Sequence, residues 1–239
     1  VISRTSVMQY KDTEKTIPEI AKELGVTYVL EGSIRKYGNE VRITAQLIDA
    51  NTDEHIWAGN YDKTVTDIFN LQTEVSKQIV DALEINLSFE EQQRLAIIPT
   101  KNIEAYKLFL AGRNEADKRD SKSIAQSLNL YRKAIAIDPN YAEAYAEIAN
   151  SIYLETYYSG RDPKEASQLS SEYLKKAEDL NDKVSRIYSV RGFIYNIEGK
   201  RKLADKAFKR AIELSPNDAT AQHQYATFFY YGRQYKEQL

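Results

Sequence analysis

The chain has 239 residues, 42% apolar and 28% charged, with a formal net charge of −2. That is the composition of a soluble globular chain of one or two domains. It contains no cysteine, which excludes disulfides, thiolate metal centres and cysteine nucleophiles. No apolar run approaches the ~20 residues that a membrane-spanning helix needs. Residues 1–100 carry 10 Lys and Arg against 16 Asp and Glu, and residues 101–239 carry 23 against 19. Neither balance resembles the concentrated basic patch of a nucleic-acid binder. The chain opens on Val1 with no signal-peptide pattern and ends in what reads as an unfinished helix. A segment of a longer protein is therefore expected.

In chain order, Val1 to Tyr10 reads as a strand. Thr16 and Glu19 form a capping box that opens a helix over Ile17 to Leu24, with Gly25 as its stop. Thr27 to Lys36 and Glu40 to Asp49 are β-rich runs joined by the two-residue turn Gly38-Asn39. In the second run Val41, Ile43, Ala45 and Leu47 alternate with Arg42, Thr44 and Gln46, the period of a sheet with one buried face. A third strand is expected from His55 to Asp62, after a loop at Asn51 to Asp53. A helix follows from Asp67 to about Leu87, its stripe of Ile68, Leu71, Val75, Ile79, Leu83 and Leu87 meant for the sheet. A second capping box, Ser88 to Glu91, begins a short helix ending at Pro99, and residues 99–102 read as a linker between domains.

The remaining sequence repeats. Tyr188, Arg191-Gly192, Tyr195, Gly199, Ala204, Phe208, Ala211 and Pro216 spell the pattern of a tetratricopeptide repeat, an antiparallel pair of helices. Gly192 and Ala204 are small where the two helices cross closely, and Tyr188, Tyr195 and Phe208 fill the space between helices. Pro216, lacking an N–H, stops the second helix. The phrase Ala134-Ile135-Ala136-Ile137-Asp138-Pro139 recurs as Ala211 to Pro216, 77 residues on. That interval is two repeats of about 34 residues and roughly nine residues more. The extra residues fall between the helices of the middle copy, around Tyr157 to Lys164, and Asp182 stands where that copy's proline is expected. Helix pairs are expected at Ile103–Lys118 with Ser123–Ile137, Ala142–Tyr157 with Lys164–Leu180, and Val184–Glu198 with Lys202–Leu214. A truncated fourth repeat begins at Ala219. The fold class is therefore a small α+β domain, an antiparallel sheet with flanking helices over residues 1–98. An all-α tetratricopeptide superhelix follows over residues 103–239.

The segments VISRTSVMQYK, IPEIAKELGVTYVLEGSIRK, VRITAQLIDANTDEHIWAGNYD and DIFNLQTEVSKQIVDAL resemble the TolB-amino-terminal-like (FlgO-like) domain. The resemblance covers residues 1–98, and the following PTKNIEAYKLFLAGR is also similar to that family. The resemblance implies a domain that normally starts one strand and one helix earlier, so an open sheet edge is expected. It also implies a bacterial regulator in which such a pair of domains is fused to a winged-helix, cyclase or kinase domain, with a transmembrane helix between them. An extracytoplasmic, periplasmic location is the corresponding expectation.

The chain holds none of the phosphate-loop, dinucleotide or zinc-protease motifs, so no catalytic residue, cofactor or metal site is expected. His55 reads as a half-buried strand residue, and the pairs Asp53-Glu54 and Glu90-Glu91 as surface acids. The run Lys200-Arg201-Lys202 with Lys206, Lys209 and Arg210 reads as a solvated helix flank. Of 18 tyrosines, 14 follow residue 100, and Tyr131, Tyr145, Tyr173, Tyr188 and Tyr195 fall at packing positions. First-helix residues one turn off the core stripe line the concave surface of such solenoids. By register they are Tyr106, Arg113, Asn150, Tyr153, Arg186, Phe193, Asn196, His223, Thr227 and Tyr230. Tyr, Arg and Phe suit binding hot spots, and Asn suits a peptide backbone. The function expected is recognition of a protein or peptide partner, with self-association through the uncapped last repeat (Tyr225, Phe228, Phe229) as a further expectation. The alternatives are an accessory region of a cyclase or kinase, a small-ligand sensor in the α+β domain, and a purely structural assembly module.

Overall fold

The computed structural model describes residues 7–64, 68–85, 99–216 and 218–234. It divides into two compact units, Val1–Ile98 and Pro99–Leu239.

In the first unit, α1 (Ile17–Leu24) is capped as its sequence requires. The Thr16 N–H donates to the Glu19 carboxylate at 2.8 Å, and Gly25 ends the helix in the left-handed region at φ 65°. β1 (Tyr28–Tyr37), β2 (Glu40–Asp49) and β3 (Glu54–Thr64) form an antiparallel sheet in the order β1-β2-β3. Tyr37 pairs with Glu40 across the turn, and Gly38 takes φ 58° there. Val41, Ala45 and Leu47 are buried, while the alternate side chains make cross-strand polar pairs: Arg42 with Asp62 at 2.6 Å and Thr44 with Asn60 at 2.9 Å.

The segment expected as a first strand differs. Met8–Tyr10 is a single 3-10 turn, and the chain after it folds back on α1 through Tyr10 and Lys15, both bonded to Glu23. Residues 1–6 lie outside the described residues, as do Leu87 and the Ser88 to Glu91 capping box. The sheet-covering helix, α2 (Ile68–Ala82), is shorter than its apolar stripe suggests. Glu84 adopts φ 53° and the Ile85 N–H reaches the Val80 carbonyl, a left-handed stop that ends the helix. Leu71 is buried, and Gln78 accepts from Trp57 Nε1 at 3.2 Å and from the Tyr61 hydroxyl at 2.6 Å. The outer edge of β1 has no strand partner among the described residues, and Ile34 on that strand is 69% exposed.

The second unit is helical: α3 (Ile103–Ala116), α4 (Ser121–Ile137), α5 (Ala142–Tyr158), α6 (Pro163–Leu180), α7 (Ser185–Ile197), α8 (Arg201–Leu214) and α9 (Ala219–Gln234). Consecutive helices pack as hairpins, and α7 also contacts α5 and α9, so first helices stand side by side. Thr100 and Asn102, expected in a linker, belong to this unit's structure. The Thr100 hydroxyl bonds Asp138 at 2.5 Å, and the Asn102 side chain caps α3 by accepting from the Glu104 and Ala105 N–H groups.

The small residues work as expected. A Cβ placed on Gly192 would lie 2.8 Å from the Phe208 ring, and one on Gly112 would lie 2.6 Å from the Tyr131 ring. Ala204 is fully buried. Tyr131 is core, whereas Tyr145, Tyr173, Tyr188 and Tyr195 are half-buried against it. The extra length of the middle hairpin is not a long loop. Helix α5 has 17 residues and α6 has 18, against 13 in α7 and 14 in α8. The insertion thus goes mainly into about one added turn on each helix. Asp162 caps α6 ahead of Pro163, and Arg161 ties the two helix ends together through Glu155 at 2.7 Å and Glu165 at 2.5 Å.

Candidate functional site

Helix α5 is buried on two opposite sides. Ala144, Ile148 and Ile152 join the core shared with α3 and α4, while Ala142, Ala146, Ala149 and Tyr153 join the core shared with α6 and α7. Alanine at so many of its positions lets neighbouring helices approach closely on both flanks. Between those flanks runs a polar stripe, Glu143, Glu147 and Asn150, spaced one turn apart.

Glu147 is the one charged residue among the buried polar residues described. Its carboxylate accepts from Arg186 Nε of α7 at 3.0 Å and from Asn150 Nδ2 at 3.2 Å. Side-chain exposure is only 18% for Arg186 and 11% for Glu147. Burial disfavours the Arg186 charge, but the carboxylates of Glu147 and Asp218 outweigh it, so the guanidinium pKa is raised. Two atoms of the cluster have no hydrogen-bond partner among the described residues: Asn150 Oδ1 and Arg186 Nη1. The Asn150 orientation follows from chemistry, since only its NH2 can donate to a carboxylate. Next to this cluster Tyr153 stacks on Phe193 of α7 with ring centroids 4.4 Å apart, and its hydroxyl meets that of Tyr157 at 2.7 Å. Burial is the first cause that raises the Tyr153 pKa, followed by the Tyr157 hydroxyl.

Of the residues chosen from sequence, the structure thus gathers Asn150, Tyr153, Arg186 and Phe193. Tyr106 packs against the core of the first hairpins, and Arg113 is exposed on α3 but close enough to act electrostatically on the Tyr131 and Tyr141 hydroxyls. Asn196 and His223 are exposed, the Thr227 hydroxyl turns back to the His223 carbonyl at 2.8 Å, and Tyr230 is largely exposed. Asn150 and Tyr153 are far less accessible than a groove-lining role suggests, at 7% and 4%.

Two residues of the same stripe were not singled out from sequence, Glu143 and Glu147. The signal was there: they precede Asn150 by seven and three positions, on one helix face. Glu143 is half-buried, and burial raises its pKa, with only its own backbone N–H offsetting that.

Elsewhere the outcomes differ from residue to residue. Asp53 and Glu54 are exposed. His55 is exposed rather than half-buried: the register shift opposite Leu47 and Ile48 breaks the alternation of β3 ahead of half-buried Trp57 and buried Tyr61, which bond Gln78 of α2. Lys200 pairs with Glu198, Lys209 with Asp205 and Arg210 with Glu213, as expected of a solvated flank. Glu90 and Glu91 lie outside the described residues. Among the described residues no helix is long and apolar enough to cross a membrane. In the first unit an open cavity of about 630 Å³ lies at the hairpin end of the sheet, lined by Arg35, Lys36, Arg42 and Lys63 with Glu40 and Asp62.

On the last hairpin, Phe228 is buried against Phe208, with the Arg201 guanidinium 4.6 Å above its ring, while Phe229 is 47% exposed. The expected uncovered apolar face is thus smaller than the sequence suggested.

Residues 185–218 match the family model for the tetratricopeptide repeat. The chain is similar to "Putative adenylate cyclase 3" of Rhizobium meliloti (strain 1021), with 38% identity over 149 residues. That match takes in 62% of this chain and 25% of the relative, so the chain spans about a quarter of the relative's length. Among solved structures it is similar to the tetratricopeptide domain of Arabidopsis OM64. There the identity is 21%, with 52% of this chain and 93% of that one covered, at a TM-score of 0.40. It is likewise similar to the first such domain of Spaghetti (RPAP3), which was solved bound to the HSP90 peptide SRMEEVD. The identity there is 20%, with 52% and 90% covered, at a TM-score of 0.40. Residues 185–218 thus form a tetratricopeptide repeat, within a helical unit built of successive hairpins.

Proposed function

We propose that the helical unit binds an extended segment of another protein along the face made by its first helices, α3, α5, α7 and α9. The observation that carries this reading is the cluster of Glu147, Asn150 and Arg186, in which a buried amide oxygen and a guanidinium N–H have no partner among the described residues. Orphaned buried polar groups are costly, and an extended peptide offers both a donor and an acceptor at every residue. Stacked Tyr153 and Phe193 beside them supply the aromatic surface that binding sites favour. In this reading the chain is a non-catalytic scaffold, the regulatory part of a bacterial signalling protein, with residues 1–98 a TolB-amino-terminal-like domain on the extracytoplasmic side.

A photo-reactive side chain introduced at exposed Asn196, and separately at Lys206 on α8, tests the binding face. Incubated with a random peptide pool and irradiated, the Asn196 position is expected to crosslink and the Lys206 position is not. Equal labelling at both sites would sink the assignment. A second reading, an accessory region of a nucleotide cyclase, draws support from the 38% identity to the cyclase-named relative. It is compatible with the first, since a peptide-binding arm is one way to regulate such an enzyme.

A further inference from the structure

Glu143 sits one turn before Glu147 on the polar stripe of α5. It is half-buried and makes no ion pair among the described residues; burial raises its pKa, and only its own backbone N–H offsets that. A carboxylate held in partial burial without a cation is an incomplete arrangement, because desolvation disfavours the charge and nothing nearby returns the loss. Its neighbours are unlike it. Glu147 is already matched by Arg186, and Arg186 is further balanced by Asp218. The spare N–H of Arg186 therefore belongs to a neutralised guanidinium and suits a carbonyl oxygen. The spare oxygen of Asn150, on a residue 7% exposed, suits an N–H. One uncompensated negative charge, one donor and one acceptor thus remain on the same face.

We propose that this face takes an extended peptide bearing a lysine or arginine, whose side-chain cation sits on Glu143 while main-chain groups meet Asn150 and Arg186. The proposal rests on the peptide-binding reading above and adds the chemistry of the ligand. Asn150 is 7% exposed and the Arg186 side chain 18%, so both side chains must turn outward when the peptide binds. An acidic peptide is disfavoured here: its carboxylate would approach Glu143 and Glu147 together, against an arginine whose charge is already spent on two carboxylates.

The complete chain is titrated into fluorescently labelled random peptides that carry a fixed central Lys, Glu or Ala, and binding is read by anisotropy. The Lys pool is expected to bind about tenfold more tightly than the Glu pool, the size of one hydrogen bond to a charged group. Glu143→Gln keeps the side chain's shape and should erase that preference, read as the ratio of Lys-pool to Glu-pool affinity, with helix content checked by circular dichroism. If the chain prefers Glu or ignores charge, yet loses binding on Asn150→Ala, the inference is overturned and the peptide-binding reading stands. Binding to none of the pools overturns both.

Discussion

At the residue scale, the helical unit turns on a few size rules. Gly112 faces the Tyr131 ring and Gly192 faces the Phe208 ring, each too close for a Cβ. In the middle hairpin Ala149 faces Ser170, whose hydroxyl donates to the Ala149 carbonyl at 2.9 Å. A small partner across the helix pair permits the methyl group, and a ring does not. Gly192→Ala should therefore destabilise the protein by about 1–3 kcal/mol through overpacking, read as a lower urea midpoint at unchanged slope. Phe208→Leu in the same chain should recover part of that loss, and a neutral Gly192→Ala would mean that the ring moves aside freely. The glycine and the ring were both legible in the sequence as parts of a repeat. The clustering of Glu147 with Arg186 was not, because it joins residues 39 apart through the packing of α5 on α7.

At the scale of elements, capping chemistry set most boundaries. Thr16 with Glu19, Asn102, Asp120 and Asp162 each start a helix where their side chains can accept or return backbone hydrogen bonds. Apolar periodicity alone overran at α2: the stripe continues in sequence to Leu83 and Leu87, but the left-handed Glu84 stops the helix at Ala82. Periodicity reports which face of a segment is greasy, not where its backbone turns. Helix α2 is held to the sheet by Gln78, which accepts from both Trp57 and Tyr61. Gln78→Leu removes that acceptor and leaves the donors of buried Tyr61 and half-buried Trp57 unpaired, so it should cost about 1–3 kcal/mol. Trp57 is the single tryptophan, so its fluorescence reports this unit selectively. The loss should appear as an earlier transition in Trp57 emission under urea, and an unshifted transition would show that the helix is held by Leu71 and its apolar neighbours instead.

At the scale of the whole molecule, three tyrosines tie the helical unit's stability to alkali. Burial raises the pKa of Tyr131, Tyr141 and Tyr153 well above that of an exposed phenol. An unfolded chain ionises its tyrosines near pH ~10. With the folded values higher than the unfolded ones, the unfolded state alone releases these protons as pH rises. Stability contributed by these groups is thus intact below about pH 10 and falls progressively above it. Far-ultraviolet dichroism should show cooperative loss of helix in alkali, accompanied by a step in tyrosinate absorbance. Tyrosinate forming smoothly before any loss of helix would contradict the buried positions of these rings.

The sequence by itself determined the local pieces: the hairpin of β1 and β2, the capped helices, and the small-residue and aromatic spacing that makes residues 185–218 a tetratricopeptide repeat. These follow from interactions between near neighbours in the chain, in which periodicity, turn residues and caps all point the same way. Only the tertiary structure decided which polar residues meet. It seated Glu147 between Asn150 and Arg186, stacked Tyr153 on Phe193, and left Glu143 without a cation among the described residues. Such choices depend on how one helix is rotated against the next, and a side chain's partners across that interface leave no periodic trace along its own strand of sequence.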